Sequence, residues 1–418
     1  MSAPIVILHY AGPPTIGGVE LTIYHHARWL AEHNYPVHVV VGQGEPFHPG
    51  VKVSVIPEIH SRHPDVLTIT KALAEGHIPS AFYTLRTHLR ERLRPVLQEA
   101  QAVIVHNAMT LHKNMALTAA LYDLAQQGLT RFIAWAHDFA WRDELYIPEM
   151  HPGYPWDLLR TPWPHVMYVV VSQHRRQLLA ELLGIPGPSI HVVPPGVDVS
   201  QFLKLEKETQ RLVERLDLLA AAPLILLPAR ITRRKNIEFA IEIMGALVPE
   251  MPKARLIVTG PPGPHNPSNI AYLNALRERR AQRGLEHHVH FLYEYGEGDT
   301  PLHVTDAMMS DLYQLADILL FPSKREGFGI PVLEAGLTRL LIFASDIPPV
   351  RESAGPWAIR FALDAPPHLV ARQITEHVNA SPIYRMRKRV LTNYTWDSIM
   401  ERRVLPLIQN SRAQEELK

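Results

Sequence analysis

Short, nearly continuous apolar runs recur along the whole chain and predict buried strands. They are rich in Val and Ile and lack a polar residue at every second position, which is typical of parallel strands covered on both faces. In the first half the runs are Ile5–Tyr10, His38–Gly42, Val51–Ile56, Ala102–His106, Arg131–His137, Tyr168–Ser172 and His191–Val193. In the second half they are Leu224–Ala229, Arg255–Gly260, Val289–Tyr293, Ala316–Pro322 and Leu341–Ser345.

Amphipathic stretches lie between these runs and predict helices. Val19–His33 has apolar side chains at close to helical spacing, and Ser172–Leu183 begins with a residue type that caps helices. Asn236–Leu247 and Asn269–Arg283 alternate with strands in the second half. Because strand and helix alternate twice over, the sequence predicts an α/β protein with two doubly wound parallel-sheet domains.

The segment Pro194–Asp198 predicts where the two domains join. It follows a strand, and its prolines and glycine cannot continue as a helix. We therefore expect an N-terminal domain over residues 1–195 and a second domain over residues 196–393. The last helix, near Trp396–Gln409 in the segment 394–418, has a periodicity that does not by itself say where it packs.

Composition narrows the class of protein. With 46% hydrophobic and 20% charged residues in 418, the chain has the balance of a folded globular protein. The net charge of +1 gives no reason to expect nucleic acid as a partner. The absence of cysteine excludes disulfides, a thiol nucleophile and Cys-ligated metals. Without a long apolar run or a basic leader at MSAPIVILHYAG, we expect a cytoplasmic location.

Three segments carry candidate chemistry, and the first is the loop after the first strand. Gly17 and Gly18 precede a helix there, so backbone N–H groups and the helix dipole can face an anion. The alternative is a tight turn that needs positive φ. The pattern is neither GxGxxG nor a P-loop, which disfavours a dinucleotide or P-loop site.

The second segment is basic. The strand is expected to end at Arg230 and a helix to begin at Lys235, and two cations at this edge can neutralise a diphosphate. The alternative is a solvated basic surface.

In the third segment Glu326 lies in a loop and Glu334 eight positions later on a helix that starts near Ile330. Both carboxylates can accept hydrogen bonds from ligand hydroxyls, or they are two surface glutamates.

These motifs together resemble the retaining, nucleotide-sugar-dependent glycosyltransferases of family 4, which have the GT-B fold. The segment from Glu326 to Glu334, with GFGIPVLEA inside it, is similar to that family's EX7E motif. LLPARITRRKNIEFAI, TIGGVE and HVVPPGVD are similar to its phosphate-binding, first-loop and interdomain segments. The resemblance covers essentially the whole chain. It implies two Rossmann-like domains facing across a cleft, with the C-terminal helix packed back on the N-terminal domain.

The resemblance implies roles for individual residues. Arg230 and Lys235 match the pair that holds the donor diphosphate, Glu334 matches the ribose ligand, and Glu326 matches the residue near the transferred sugar. Further donor contacts are implied for Gly17, Gly18, Tyr293, Glu294, Gly327, Phe328, Gly329 and Ile330. His137 matches a histidine beside the donor sugar and acceptor, and its alternative is a packed strand-end histidine. The implied catalytic set is therefore His137, Glu326, Arg230 and Lys235.

Acceptor residues should come from the first domain. The candidates follow its strands and are Glu20, His106, Asn107, Thr110, His112, Lys113 and Asp138. Lys113 suits an anionic acceptor. The helical stretch Ser80–Ala100 carries four arginines, which fits either an ordinary surface helix, the preferred interpretation, or a peripheral contact with lipid. Histidine-rich pieces lack HExxH spacing and are interpreted as structural.

The expected reaction is transfer of a hexosyl unit from a UDP- or GDP-linked sugar to an acceptor hydroxyl on a small molecule, glycan or lipid-linked compound. No Asp-x-Asp triplet occurs, and the resemblance implies a retaining reaction without an essential metal or other cofactor. Two alternatives stay open. One is another GT-B activity, such as a sugar phosphorylase or nucleotide-sugar epimerase, and the other is a nucleotide-sugar-binding protein without catalysis.

Overall fold

The chain forms two compact units. The computed structural model describes residues 3–15, 17–263, 268–298 and 300–413. The first unit is built from the chain up to Gly196 and again from Tyr394 onward, and the second is Val197–Asn393. Ile16 of the first-loop motif and residues 414–418 of the predicted C-terminal segment lie outside the described residues.

The first unit contains a seven-stranded parallel sheet in the order β3-β2-β1-β4-β5-β6-β7. Strand β1 pairs on both sides, with Ile7 opposite Val39 and Ile104. Its strands are β1 (Ile5–His9), β2 (Val37–Val41), β3 (Val51–Val55), β4 (Ala102–His106), β5 (Phe132–Ala136), β6 (Val166–Val170) and β7 (Ile190–Val192). Its first helices are α1 (Gly18–Glu32), α2 (Pro64–Ala74), α3 (Ser80–Gln98), α4 (Met115–Gln126) and α5 (Gln173–Leu183).

The strands of this sheet are apolar throughout because both faces are covered. Val6 and Leu8 of β1 pack into one core together with α2 to α5, whereas Ile5 and Ile7 pack into the other, which includes α1. Successive side chains of a strand point to opposite faces, so two cores require an unbroken apolar run. This is the pattern from which the sequence predicted buried strands.

The second unit repeats the architecture with a six-stranded parallel sheet in the order β10-β9-β8-β11-β12-β13. Its strands are β8 (Leu224–Leu227), β9 (Arg255–Val258), β10 (Val289–Phe291), β11 (Ile318–Phe321), β12 (Leu341–Ser345) and β13 (Ile359–Phe361). Its helices are α6 (Val199–Leu203), α7 (Lys207–Arg215), α8 (Ile237–Leu247), α9 (Ser268–Gln282), α10 (Asp306–Leu315), α11 (Ile330–Leu337), α12 (Pro348–Ala354), α13 (Pro367–Ala380) and α14 (Pro382–Asn393).

After α14 the chain returns to the first unit as α15 (Trp396–Ile399), a π-helical turn (Met400–Val404) and α16 (Leu405–Ala413). Trp29 Nε1 of α1 donates to Asp397 Oδ1 at 3.0 Å, and Trp396 stacks on His25 with ring centres 4.7 Å apart. Gly196 needs to be small, because a Cβ there would lie 2.7 Å from the Trp396 ring. Along the ranges described, none of the helices is long and apolar enough to cross a membrane.

The prediction of two doubly wound parallel-sheet domains is confirmed. The cap at Ser172 is also confirmed, since its hydroxyl accepts from the Arg175 backbone N–H at 3.1 Å. Two boundaries were wrong. Strand β8 ends at Leu227, so Arg230 lies beyond the strand. Lys235 lies in a separate 3-10 turn, because the left-handed backbone of Asn236, with φ 55°, separates this turn from α8.

Candidate functional site

Glu326 and Lys235 form a close ion pair that joins two of the predicted segments of the second unit. Lys235 closes the 3-10 turn Arg233–Lys235, and Glu326 lies in the loop between β11 and α11. Lys235 Nζ donates to Glu326 Oε1 at 2.5 Å, and Arg234 Nη1 donates to Oε2 at 3.2 Å. Both members of the Lys235–Glu326 pair have side chains only 9% exposed. The structure thus places one implied diphosphate ligand directly against the implied sugar ligand.

Burial and charge act in opposite directions on the two members of this pair. Burial lowers the pKa of the Lys235 ammonium, and its hydrogen bond to Glu326 offsets only part of that effect. Burial alone would raise the pKa of the Glu326 carboxyl, but the Lys235 hydrogen bond and the nearby cations hold that pKa below its ordinary value. Glu326 is therefore an ionised hydrogen-bond acceptor at neutral pH.

Glu334 lies on α11 and is oriented by a tyrosine from α10. The Tyr313 hydroxyl donates to Glu334 Oε2 at 2.5 Å, and burial together with this contact raises the pKa of Tyr313. Within the described chain, the side chain of Glu334 forms no other hydrogen bond, so its second oxygen is available to a ligand hydroxyl.

The loop before α11 exposes the N-terminus of that helix. Gly329 is the N-cap residue with φ 101°, a conformation that favours glycine, and Pro331 occupies the first turn. Phe328 and Ile330 on either side are exposed, 41% and 62% respectively, and so is Gly327. Exposed residues therefore flank the first turn of α11, where unpaired backbone N–H groups suit an anion.

Arg230 has a fixed backbone and an exposed side chain. A Cβ on Gly260 would lie 2.7 Å from Arg230 Cα, so the loop after β9 packs directly on this residue. The Ile231 N–H also donates to the Pro261 carbonyl at 2.9 Å. Among the residues described, no hydrogen bond or ion pair holds the Arg230 guanidinium, which leaves it available to an anionic ligand.

Tyr293 and Glu294, the implied base contacts, lie in the 3-10 turn Leu292–Tyr295 after β10. Tyr293 packs partly against the core of the unit. Glu294 accepts from Arg277 Nε at 2.6 Å and Arg280 Nη1 at 2.8 Å, both on α9. The carboxylate of Glu294 is thus engaged by arginines, and the structure does not join it to the Lys235–Glu326 pair.

In the first unit, Gly17 and Gly18 introduce α1. Gly17 has φ −168°, which is extended backbone, and Gly18 is helical. The alternative of a turn that needs positive φ is therefore wrong. A side chain on Gly17 would collide with the Glu20 carboxylate, whereas a Cβ on Gly18 would meet no atom within 4 Å. Glu20 Oε1 also lies 3.8 Å from His9 Nε2. The backbone at Gly18 is therefore open to a ligand.

His137 directly follows β5. Two consecutive residues at the end of β4 hold it, because Asn107 contacts its backbone and His106 contacts its ring. Asn107, with φ 58°, accepts at Oδ1 from the N–H of His137 at 2.8 Å and of Asp138 at 3.3 Å. His137 Nε2 is hydrogen bonded to His106 Nδ1 at 3.1 Å. Burial lowers the pKa of His137 to about 4, so its imidazole is neutral at physiological pH. The Asp138 carboxylate accepts from Arg175 at 3.1 Å.

A cavity of about 260 Å³ brings Gly18 and His137 together. It lies wholly in the first unit, and Trp135 and Trp396 give it aromatic walls. Its lining residues are Gly18, Leu21, Thr22, Trp135, His137, Val171, Val193, Pro194, Pro195, Gly196 and Trp396. The sequence did not single out the two tryptophans as site residues, because only packing shows that β5 and α15 meet beside His137.

Two of the remaining acceptor candidates, Lys113 and His112, lie beside Tyr146. Lys113 Nζ lies 4.1 Å from the centre of the Tyr146 ring, and His112 Nε2 is 2.8 Å from Glu149 Oε2. Thr110 is buried, with its hydroxyl 3.4 Å from the Asn107 carbonyl. None of these side chains lines the cavity that contains Gly18 and His137.

The arginines of α3 are largely used inside the first unit. Arg86 donates to both oxygens of Asp123 and to the Tyr154 hydroxyl, and Arg94 donates to Gln127. Arg90 lies 3.9 Å from Asp123. These contacts with α4 favour the interpretation of α3 as an ordinary surface helix.

Comparison with protein families decides where the chain belongs. The family model described as "Glycosyltransferase Family 4" matches residues 16–201, and the model described as "Glycosyl transferases group 1" matches residues 209–392. The chain belongs to glycosyltransferase family 4. The two matches fall almost entirely on the first and second units respectively.

Relatives of this family 4 glycosyltransferase include two mannosylglucosylglycerate synthases. The one from Thermotoga maritima is 26% identical over 82% of this chain and 82% of its own length. The one from Petrotoga mobilis is 24% identical over 62% of this chain, and the match spans 63% of its length, just under two thirds. Sucrose-phosphate synthase from Thermosynechococcus elongatus aligns over 99% of this chain and 100% of its own, with 17% identity and a TM-score of 0.38.

Proposed function

We propose that this glycosyltransferase moves a hexosyl unit from a UDP- or GDP-linked sugar to an acceptor hydroxyl, with retention of anomeric configuration and without an essential metal. The arrangement of Lys235, Glu326 and Arg234 carries the proposal. It combines a carboxylate, which can accept hydrogen bonds from sugar hydroxyls, with cations, which can bind a diphosphate. Glu334, oriented by Tyr313, is the proposed ribose ligand.

The leaving group determines what the second unit must supply. Departure of a nucleoside diphosphate leaves negative charge on its outer phosphate, which fixed cations and backbone N–H groups stabilise. Arg230, with its free guanidinium, Lys235 and the N-terminus of α11 are the proposed donors. In this proposal the cations neutralise the phosphate charge in place of a divalent metal, so chelators should leave the rate of transfer unchanged.

The environment of Glu326 supports an orienting role over a nucleophilic one. Its two oxygens each receive a charged donor, and electron density engaged in this way is poorly available for attack on an anomeric carbon. We therefore propose retention through same-face attack by the acceptor, whose proton passes to the departing phosphate. His137 is proposed to hydrogen bond a sugar hydroxyl, and the acceptor is assigned to the first unit.

The first test is binding. Melting temperature is measured with UDP, GDP, ADP and their common sugar conjugates, each with Mg²⁺ and with EDTA. GDP-mannose is included because one relative is named a GDP-mannose-dependent mannosyltransferase of Mycolicibacterium smegmatis. We expect one nucleotide series to raise the melting temperature equally in both conditions. The shift should disappear in Glu334→Ala and persist in Glu376→Ala, an exposed glutamate of α13.

Transfer is then followed with the donor so identified and a panel of hydroxyl acceptors. The anomeric configuration of the product, read by NMR coupling constants, decides between retention and inversion. Loss of binding on chelation, or a product of inverted configuration, would contradict the proposal. Phosphate-dependent turnover or conversion of the donor without acceptor would indicate a phosphorylase or an epimerase.

A further inference from the structure

His106 is buried behind His137, and although the sequence offered it as an acceptor candidate, it is fully buried and does not line the cavity. It ends β4 with 0% exposure, surrounded by the rings of His9, His26 and Trp135 at 5.7–6.2 Å between centres. Its Nδ1 is 3.1 Å from His137 Nε2. Its other nitrogen, Nε2, is buried and has no hydrogen-bond partner in the described structure.

The contact between the two rings needs one proton, and the unpartnered nitrogen indicates where it lies. If His106 were protonated at Nε2, a buried N–H would have no acceptor. If it is protonated at Nδ1, only a lone pair is unsatisfied, which costs less. Burial lowers the pKa of both rings, so each carries a single proton at neutral pH. Nδ1 of His106 is therefore the donor and Nε2 of His137 the acceptor.

We infer that His106 is a positioning residue that fixes His137 as the Nδ1–H tautomer, so that His137 offers a ligand in the cavity a hydrogen-bond donor. The backbone of His137 is fixed independently, because Asn107 Oδ1 accepts from its N–H. With ring and backbone both held by the end of β4, Nδ1–H is the one polar group of the side chain left for a ligand. Such a group donates to a sugar oxygen. This use of the donor rests on the proposed function, whereas the tautomer does not.

The tautomer is measured directly by NMR of protein labelled with ¹⁵N in histidine, with His137→Gln identifying the His137 signals. We expect wild-type His137 to be protonated at Nδ1. His106→Leu removes the donor and should shift His137 toward the Nε2–H form that an unconstrained imidazole prefers. His106→Asn places an amide N–H near the position of Nδ1 and should restore the wild-type tautomer. Melting temperatures identify any variant that fails to fold.

Kinetics supply the second readout. If the proposed transfer is observed, His106→Leu should lower kcat about tenfold, equivalent to one hydrogen bond, with the donor KM changed less than about twofold. His106→Asn should recover most of that loss. A wild-type His137 protonated at Nε2, or a tautomer unchanged in His106→Leu, would overturn the inference. Absence of transfer with every donor would reject the proposed function, and the NMR result would still decide the role of His106.

Discussion

Lys235 is the residue on which the proposed donor site depends most. It contacts Glu326 at 2.5 Å and lies 5.0 Å from the centre of the Phe321 ring, so its ammonium group is held in one place. Because it is largely buried, its charge is screened weakly and acts strongly on a neighbouring anion. The same burial makes the ammonium costly to maintain unless Glu326 or a phosphate compensates it.

We therefore predict that Lys235→Ala lowers kcat/KM for the donor by about 10²–10³, the usual cost of removing one group that stabilises a developing anion. The pKa of Glu326 should rise in this variant, because its hydrogen-bonded cation is lost. Steady-state kinetics with the donor varied measures the effect. Lys207→Ala, an exposed lysine at the start of α7, is the matched control and should behave as wild type. An unchanged kcat/KM in Lys235→Ala would remove Lys235 from the site.

At the scale of single residues, the sequence predicted which element carries a residue better than which side chains that residue contacts. The spacing of Glu326 and Glu334 placed one in a loop and one on a helix, as observed. It contained no signal for Tyr313, which reaches Glu334 only because α10 packs beside α11. Nor could it show that Glu294 is engaged by two arginines of α9. Contacts across elements depend on packing, which spacing along one chain does not encode.

Helix α14 has twelve residues, all within the described ranges, and none of its side chains is fully buried. It is held by charge instead. Asp317, immediately before β11, lies 2.9 Å from Lys388 Nζ and 3.3 Å from Arg387 Nε, and its carboxylate is 2% exposed. Asp317 also accepts from the Leu224 N–H at 2.8 Å, so one carboxylate ties α14 to the start of β8.

We predict that Asp317→Ala destabilises the second unit by about 3–5 kcal/mol, because the partly buried cations Arg387 and Lys388 lose their carboxylate and the Leu224 N–H loses its acceptor. Chemical denaturation, followed by hydrogen exchange of peptides from β8 and β11, measures the loss. Asp364→Ala removes an exposed aspartate of the same unit and should change stability by less than about 0.5 kcal/mol. Equal stability of the two variants would mean that α14 is held by other contacts.

Strands were predictable where the apolar run is continuous, including β7 and β10, which have only three residues each. Twelve apolar runs in the sequence correspond to strands β1 to β12, because each lies in a sheet covered on both faces. Strand β13 was missed. It has only three residues, Ile359–Phe361, lies at the sheet edge and includes an exposed arginine, so it has no continuous apolar run. The π-helical turn in the C-terminal helix likewise has no sequence signal.

Over the whole molecule, titratable histidines are concentrated in one unit. Of 24 histidines, 17 precede residue 201, a count to which the sequence alone gave no meaning. In the structure several are buried beside one another. Burial lowers the pKa of His9 and His137 to about 4 and that of His26 to about 3, and lowers that of His106 as well. In the second unit, among the groups described, only His290 has a comparable shift, to about 4.

These shifts determine how the free energy of unfolding depends on pH. Between pH 6.5 and about 4 the unfolded chain binds protons at these histidines and the folded chain does not, so stability falls as pH falls through that window. A shift from 6.5 to about 4 in a fully buried group is equivalent to roughly 3 kcal/mol. Several such groups act in the same direction, against a total stability of about 5–15 kcal/mol for a typical domain. Glu326 and Glu238 have lowered pKa values, so the stability they give the second unit is lost only below about pH 4.5.

We predict that the first unit unfolds on acidification between pH 6 and 4 while the second stays folded, and that His26→Leu reduces this sensitivity. His26 is fully buried and neither ring nitrogen has a hydrogen-bond partner in the described structure, so leucine removes a proton site without removing a hydrogen bond. Between pH 7 and 5 the variant should lose roughly 2 kcal/mol less stability than wild type.

Urea unfolding followed by tryptophan fluorescence measures this loss of stability selectively, since six of the seven tryptophans lie in the first unit. His174→Leu, at an exposed position of α5, should retain the wild-type pH dependence. If His26→Leu and wild type lost equal stability over this range, buried neutral histidines would not be the cause of the acid sensitivity.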